Sequence, residues 1–359
     1  MSSKKTLLIV FGGVSSEHDA SKKSFEHVLS RLTEKKITQT FAAIEIAYVT
    51  REGKVVRTTY QTGIEVTECV RSKKYISLSD LVIDLVQPNI FVFSLLHGQH
   101  GEDGCLQGLA KFLGISGSFG SILSASLAMS KLHSNIFVAG LGSEAKIPKT
   151  TSITSNSEIA KAIETWQLGE RVVVKPSSLG ASILTELVTI GKDNKKISDL
   201  IKKILRYDTA VLMQEFISGE EYSCGCLEEK GKILALPLIK VITDKQFFGH
   251  AEKHVLGKNE ELVISSDDEN ETETRIRQLS QQLFRAIGLR HMARFDFRVN
   301  DWGEIFFLEV NPLPGMMENS IFPKMLRAAN KNVEDVILLS FDAISHDEQK
   351  VTDFRYHID

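Results

Sequence analysis

Met292-Ala293-Arg294-Phe295-Asp296-Phe297-Arg298-Val299 is followed by Asn300-Asp301-Trp302-Gly303, and then by Glu304-Ile305-Phe306-Phe307-Leu308-Glu309-Val310-Asn311-Pro312-Leu313-Pro314-Gly315. Two runs of strand-forming residues around a Gly-containing turn predict an antiparallel hairpin. Side chains alternate along a strand, so Arg294 and Asp296 share a face, as do Glu309 and Asn311 on the partner strand. Phe295, Phe297, Phe306 and Leu308 occupy the neighbouring positions and read as apolar. Two carboxylates and an amide side by side are hard oxygen donors, the kind that suits Mg²⁺ together with phosphate oxygens and water. A polar cluster on so apolar a hairpin is costly unless it binds something. The plainer alternative is an ion-pair network satisfied on a sheet face.

Working outward, a helix is predicted over 271–287, preceded by a polar stretch, 243–259, with little periodicity that reads as a mobile loop. A hairpin of 221–227 and 233–241 turns at Lys230-Gly231. In the middle of the chain, strands are expected at 171–176, 183–190 and 210–216, with a helix near 129–138. Lys175 ends the first of these strands, and the small-residue stretch Ser177-Ser178-Leu179-Gly180-Ala181-Ser182 follows it. Backbone N–H groups in such loops cradle phosphate and a lysine supplies countercharge, although the Gly-Lys-Ser/Thr signature of the P-loop is absent. The first third alternates strand and helix signals: strands at 7–11, 41–49 and 90–96, helices around Phe25 to Leu32 and Leu78 to Val86. That alternation implies a parallel open sheet with ligands at the carboxyl ends of its strands, here 12–18 and 97–104. The fold class is mixed α/β, with units expected at 1–118, 119–213 and 214–359.

The chain has 359 residues, 42% apolar and 25% charged, with a formal net charge of −3. This balance gives no reason to expect a nucleic-acid or membrane-surface partner. No stretch approaches the ~20 apolar residues needed to span a bilayer. The apolar run at the N-terminus is too short for a signal-peptide core, so a cytoplasmic location is expected. Four cysteines, Cys69, Cys105, Cys224 and Cys226, lack zinc-finger spacing and read as reduced thiols packed as small hydrophobes.

Several motifs recur in a telling order. They are Gly12-Gly13-x-Ser15-x-Glu17-His18, His97-Gly98 with Gly101-Glu102-Asp103-Gly104 and Gln107-Gly108, Val174-Lys175-Pro176, Gly219-x-Glu221, Arg294-x-Asp296 and Glu309-x-Asn311-x-x-Pro314-Gly315-Met316. Together they resemble the D-alanine–D-alanine ligase family over nearly the whole chain. The resemblance implies an ATP-grasp fold and an ATP-dependent ligation through an acyl phosphate, supplying a dipeptide for peptidoglycan. It implies that Lys131, Lys175 and, from the polar loop, Lys253 contact ATP phosphates. Glu215, Phe216 and Ile217 would line the adenine side, and Glu221 would hold the ribose. Asp296, Glu309 and Asn311 would hold two Mg²⁺ or Mn²⁺ ions. Glu17 would take the ammonium of the first amino acid, with His97 near its carboxylate. Arg294 and the backbone of Gly315 would stabilise the oxyanion, and Ser320 would receive the second carboxylate. A homodimer is also implied.

The chain departs from the family pattern at Ala181 and His254, where the family has a loop serine and a lid tyrosine, and also at Ser130, Leu184 and Gln214. Without that serine and tyrosine, the latch between loop, lid and the position of Glu17 cannot form in the same way. Two alternatives follow: the same chemistry with another acceptor such as D-lactate or D-serine, or a nucleotide-binding sensor without catalysis.

Overall fold

Leu7, Leu8, Ile9 and Phe11 are fully buried, as a strand covered on both faces requires. They lie in β1 (Thr6–Gly12) of a computed structural model that describes residues 4–71, 74–243, 259–265 and 268–348. β1 pairs in parallel with β2 (Ile44–Val49) on one side and β4 (Ile90–Ser94) on the other. Helices α1 (His18–Ser30), α2 (Lys35–Thr40), α3 (Val66–Val70), α4 (Leu78–Leu85) and α5 (Cys105–Leu113) accompany this sheet. One edge departs from the expected all-parallel sheet: β3 (Val55–Thr59) returns antiparallel to β2 as a hairpin. The carboxyl ends of β1 and β4 sit together, so 12–18 and 97–104 are brought side by side. At Gly12 a Cβ would stand 2.2 Å from the Val49 carbonyl oxygen, and φ is +90°, so the chain can turn out of the sheet there only as glycine.

The single helix expected near 129–138 is two: α6 (Ile122–Met129) and α7 (Lys131–Gly140). They break at Ser130, whose hydroxyl accepts from the His133 N–H and so caps α7. Their buried residues, Ala128 and Val138, pack with the last sheet rather than the central one, which cuts across the 119–213 unit.

The central sheet is antiparallel, in the order β5 (Thr150–Ile153), β8 (Val211–Glu215), β6 (Arg171–Pro176), β7 (Glu186–Thr189). α8 (Ile159–Glu164) and α9 (Asn194–Ile204) close its core, through Ile159, Ile197 and Ile201.

The last sheet runs β12 (Asn259–Ile264), β11 (Leu238–Thr243), β9 (Glu220–Glu229), β13 (Met292–Val299), β14 (Ile305–Asn311), with β10 (Lys232–Ala235) beside β9. The expected second strand of the first hairpin is thus broken in two around Pro237, which has no N–H to give to a ladder. One face meets α10 (Glu271–Ile287) through Phe295, Phe297, Phe284 and Leu283. The other shares a core with the first unit and with α11 (Ile321–Ala328) and α12 (Val333–Glu348). The 243–259 loop falls almost wholly outside the described residues, and Lys253 and His254 with it.

The decisive hairpin has the expected register, with Arg294 opposite Asn311 and Asp296 opposite Glu309. It also carries a β-bulge: Phe297 pairs with Phe307, leaving Leu308 as the extra residue. This shifts the alternation. Ile305, Phe307 and Val310 are the core residues of β14, while Phe306 and Leu308, expected there, are only half-buried.

Candidate active site

Three strands of the last sheet aim a column of polar side chains at one face. On β13 they are Arg298, Asp296 and Arg294, at every second position. Across the ladder on β9 stand Glu221, Ser223 and Gly225. Ser223 Oγ donates to Asp296 Oδ1 at 2.6 Å, and Arg294 grips the same carboxylate through Nε (2.9 Å) and Nη2 (2.8 Å). Burial opposes the Arg294 charge, but Asp296, and then Glu309 and Glu221, more than offset this and raise its pKa, so the guanidinium stays cationic. On β14, Asn311 Oδ1 accepts from the Leu313 N–H at 3.0 Å, which turns the chain into the Pro312–Met316 loop.

Glu17, Lys131 and the small-residue loop face this column. Lys131 Nζ lies 3.3 Å from Glu309 Oε2 and donates to the Leu179 carbonyl at 2.9 Å. Its backbone N–H donates to Ser177 O, also at 2.9 Å, so the loop is fixed to the start of α7. Glu17 precedes α1, but its side chain makes no capping bond. The carboxylate points instead between two close-approaching backbones: a Cβ at Gly180 would stand 2.4 Å from Glu17 Oε1, and one at Gly98 3.1 Å. Burial raises the Glu17 pKa, Lys131 opposes the rise, and Glu309 adds to it.

His97 is buried behind this cleft. Its Nε2 is 3.0 Å from Ser24 Oγ, and the ring also bonds the Leu313 backbone. Burial pushes its pKa down to about 4 against the effect of the Leu313 bond, so the ring is neutral. Ser24 Oγ in turn accepts from the Met316 N–H at 3.1 Å. Glu102, also buried, accepts from the Gly98 and Leu313 N–H groups. Burial and the nearby Glu17 hold its pKa well above the usual carboxylate range, against the pull of these bonds and of Arg294. His97, Ser24 and Glu102 therefore lock the Pro312–Met316 loop to the first unit. Sequence reasoning assigned no role to Ser24 or Glu102. Glu102 stood inside a recognised motif, whereas a serine on an apolar helix face gives no signal.

Further along the cleft, Lys175 ends β6 with only 8% exposure. Glu215, Phe216 and Ile217 join the central sheet to the last one. The Glu215 carboxylate is exposed and accepts from the Lys149 N–H at 3.3 Å, and Ile217 is buried. The Phe216 ring lies 4.2 Å from the Arg171 guanidinium and 4.9 Å from that of Arg298. Burial lowers the Arg298 pKa, Glu221 opposes this, and Arg171 adds to it. Gly315 and Ser320 are neighbours: a Cβ on Gly315 would stand 3.8 Å from Ser320 Oγ, at the N-cap of α11. Ala181, Ser182 and Leu184 all have left-handed backbones, with φ of 52°, 54° and 55°.

Two antiparallel sheets with lysines, carboxylates and a buried arginine gathered between them, preceded by an open-sheet unit, define an ATP-dependent ligase of the ATP-grasp class. The family models described as "D-ala D-ala ligase N-terminus" and "D-ala D-ala ligase C-terminus" match residues 6–118 and 145–339. The chain belongs to the D-alanine–D-alanine ligase family. It is 29% identical over 347 residues to the D-alanine--D-alanine ligase of Clostridium acetobutylicum, covering 93% of this chain and 96% of that one. To D-alanine--D-alanine ligase B of Chromobacterium violaceum it is 33% identical over 255 residues, 70% and 80% of the two chains. Among solved structures, VanG D-Ala:D-Ser ligase from Enterococcus faecalis aligns at 25% identity with a TM-score of 0.75, covering 95% of this chain and 100% of that chain. The ATP complex of the Bacillus anthracis D-alanine--D-alanine ligase aligns at 26% with a TM-score of 0.68, over 96% and 99%. Among the described residues no helix is long and apolar enough to cross a membrane.

Proposed function

We propose that the chain joins two D-alanines into D-alanyl-D-alanine at the expense of ATP, supplying the dipeptide for peptidoglycan, as a cytoplasmic homodimer. The observation that carries this reading is the convergence of Glu17, Lys131, Glu309, Asp296 and Arg294 from three separate parts of the chain. A carboxylate is a poor electrophile. Transfer of the γ-phosphoryl group to the first D-alanine's carboxylate gives ADP and an acyl phosphate. The deprotonated amine of the second D-alanine attacks that carbonyl, and phosphate leaves.

Such a sequence asks mainly for positioning and neutralisation of charge. Glu17 takes the first ammonium. Lys131 and Lys175 face the phosphates; Lys253, expected to join them, lies outside the described residues. Glu215, Phe216 and Ile217 take the adenine, and Glu221 the ribose. Two of the Arg294 nitrogens are held by Asp296, which orients the rest of its donors toward the developing oxyanion beside the Gly315 backbone. Ser320, next to Gly315, takes the second carboxylate. The His97 ring positions the Pro312–Met316 loop through Leu313 and Ser24.

Asp296, Glu309 and Asn311 offer hard oxygens in register on adjacent strands, and Glu309 already raises the pKa of Glu17 by repulsion, so the donor set fits divalent magnesium. When bound there, Mg²⁺ (or Mn²⁺) supplies neutralisation of the phosphate charge.

A second reading keeps the chemistry and changes the acceptor to D-serine or D-lactate. It is favoured by Ala181, which offers no hydroxyl at the loop beside Glu17, and by the similarity to a D-Ala:D-Ser ligase. Mass spectrometry of products made from D-alanine alone, and from D-alanine with D-serine or D-lactate, separates the two. A missing D-alanyl-D-alanine peak sinks the first reading. ADP release with no amino-acid product from any mixture sinks both.

A further inference from the structure

Cys105 differs from the other three cysteines. Cys69, Cys224 and Cys226 are buried, as expected of small hydrophobes, while Cys105 stands exposed in the first turn of α5. Cysteine spacing offers it no partner, but the fold does. The turn leading from Gly98 into α5 doubles back and gathers His100, Asp103 and Cys105, so that a ring nitrogen, a carboxylate oxygen and the thiol sulfur all lie within 4.8 Å of one another. Asp103 fixes this turn: Oδ2 accepts from the His100 N–H at 2.8 Å and Oδ1 from the Cys105 N–H at 3.0 Å. A carboxylate has about four lone-pair sites, so both oxygens retain acceptor capacity.

We propose that His100, Asp103 and Cys105 form a binding site for a borderline transition-metal dication of the Zn²⁺ class, separate from the oxygen site for magnesium. The donor set decides the ion. Imidazole and thiolate select zinc-like metals, whereas Mg²⁺ takes oxygen ligands and does not compete for sulfur. With Zn–N and Zn–O near 2.0 Å and Zn–S near 2.3 Å, the three ligand atoms on one tetrahedral ion stand roughly 3.3–3.5 Å apart. Closing the cluster therefore needs about 1 Å of side-chain movement at exposed positions. All three ligands come from six consecutive residues, so little chain entropy is lost on closure. Binding releases the Cys105 thiol proton to solvent, and the thiolate and carboxylate charges then balance the dication. Three protein ligands leave a fourth position for water. The same turn carries Glu102, which bonds the Gly98 N–H and the Leu313 backbone, so an ion here pins the outer side of a segment whose inner side lines the cleft.

The test uses the full chain without substrates, in excess Mg²⁺, titrated with Co²⁺ as a coloured substitute for Zn²⁺. One equivalent should produce a thiolate-to-cobalt charge-transfer band in the near-ultraviolet, which Zn²⁺ then removes. Cys105→Ser should abolish the band. His100→Ala should weaken cobalt binding by at least ~10-fold, the loss seen when merely the support of a metal ligand is removed. As a second readout, Zn²⁺ should raise the Tm of the wild type but not that of Cys105→Ser. The proposal is overturned if no band forms, if the band survives Cys105→Ser, or if His100→Ala binds cobalt as well as the wild type. None of these measurements involves ligation, so their failure leaves the ligase reading untouched.

Discussion

His97 shows at the scale of one residue how burial sets both stability and role. Its pKa falls from the ordinary 6.5 to about 4 in the folded protein. Between those values the unfolded chain binds the extra proton and the folded one does not. The stability His97 contributes is therefore complete above about pH 6.5 and is lost as pH falls toward 4. The difference corresponds to about 3 kcal/mol. Urea denaturation of the wild type and His97→Asn over that window should show the wild type losing about 2–3 kcal/mol more than the variant; parallel curves would refute it. Glu17 moves the other way. Its pKa is raised by burial, so its charge, and with it the grip on an ammonium, should fail at a higher pH than for an ordinary carboxylate. The acid limb of kcat/KM for the first amino acid should accordingly disappear in Glu17→Gln, with KM for ATP little changed. Arg294→Ala should lower turnover by at least ~10²-fold, the scale of one lost oxyanion donor. Arg294→Lys keeps the charge but not the fork that grips Asp296, so near-wild-type turnover in that variant would show that charge alone suffices.

At the scale of elements, the hairpin's register was legible because Arg294, Asp296, Glu309 and Asn311 keep period two. Its bulge was not. Ile305-Phe306-Phe307-Leu308 is apolar at four successive positions, so either parity reads as core, and only the backbone shows that Leu308 is the extra residue. Deleting Leu308 tests what the bulge does. Without it Phe307 and Glu309 become neighbours and the strand alternates regularly, so Ile305, Phe307 and Val310 stay in the core while Glu309 and Asn311 stay on the Asp296 face. The deletion should therefore leave ATP binding measured by calorimetry in place, and a loss of binding would show that the bulge itself aims Glu309. Leu308→Ala, at a half-buried position, should leave ATP binding in place. The loop after β6 was legible as a run of small residues but not as a strained one. Ala181, Ser182 and Leu184 lie in the left-handed region that glycine favours, and nothing in their side chains announces it. β12 gave no signal either: its Asn259-Glu260-Glu261 start is polar, and pairing with β11 makes it a strand.

For the whole molecule, the order of motifs was readable from one end of the chain to the other, but not how its ends hold each other. α12 closes back onto the first unit. Arg31, at the end of α1, grips the buried Glu334 through Nε (3.0 Å) and Nη2 (2.8 Å), while Lys36 Nζ reaches Glu334 at 3.2 Å and Asp335 at 2.5 Å. These partners lie some 300 residues apart, and no local pattern connects them. The consequence for the site runs along α1. That helix is held at its end by Glu334 and at its middle by Ser24, bonded to His97 and Met316, and it begins just after Glu17. Glu334→Gln keeps the shape but leaves two cations facing each other across a buried amide. Because Arg31 and Lys36 are each about a third exposed, water recovers part of the loss, and about 2 kcal/mol of stability should go rather than the full cost of an isolated buried charge. The kinetic effect should be uneven. Glu17 rides on α1, whereas Lys131, Lys175 and Glu215 are carried by α7, β6 and β8, so KM for the first amino acid should rise more than KM for ATP. Equal rises in both would mean that the clamp supports the fold without setting the position of Glu17.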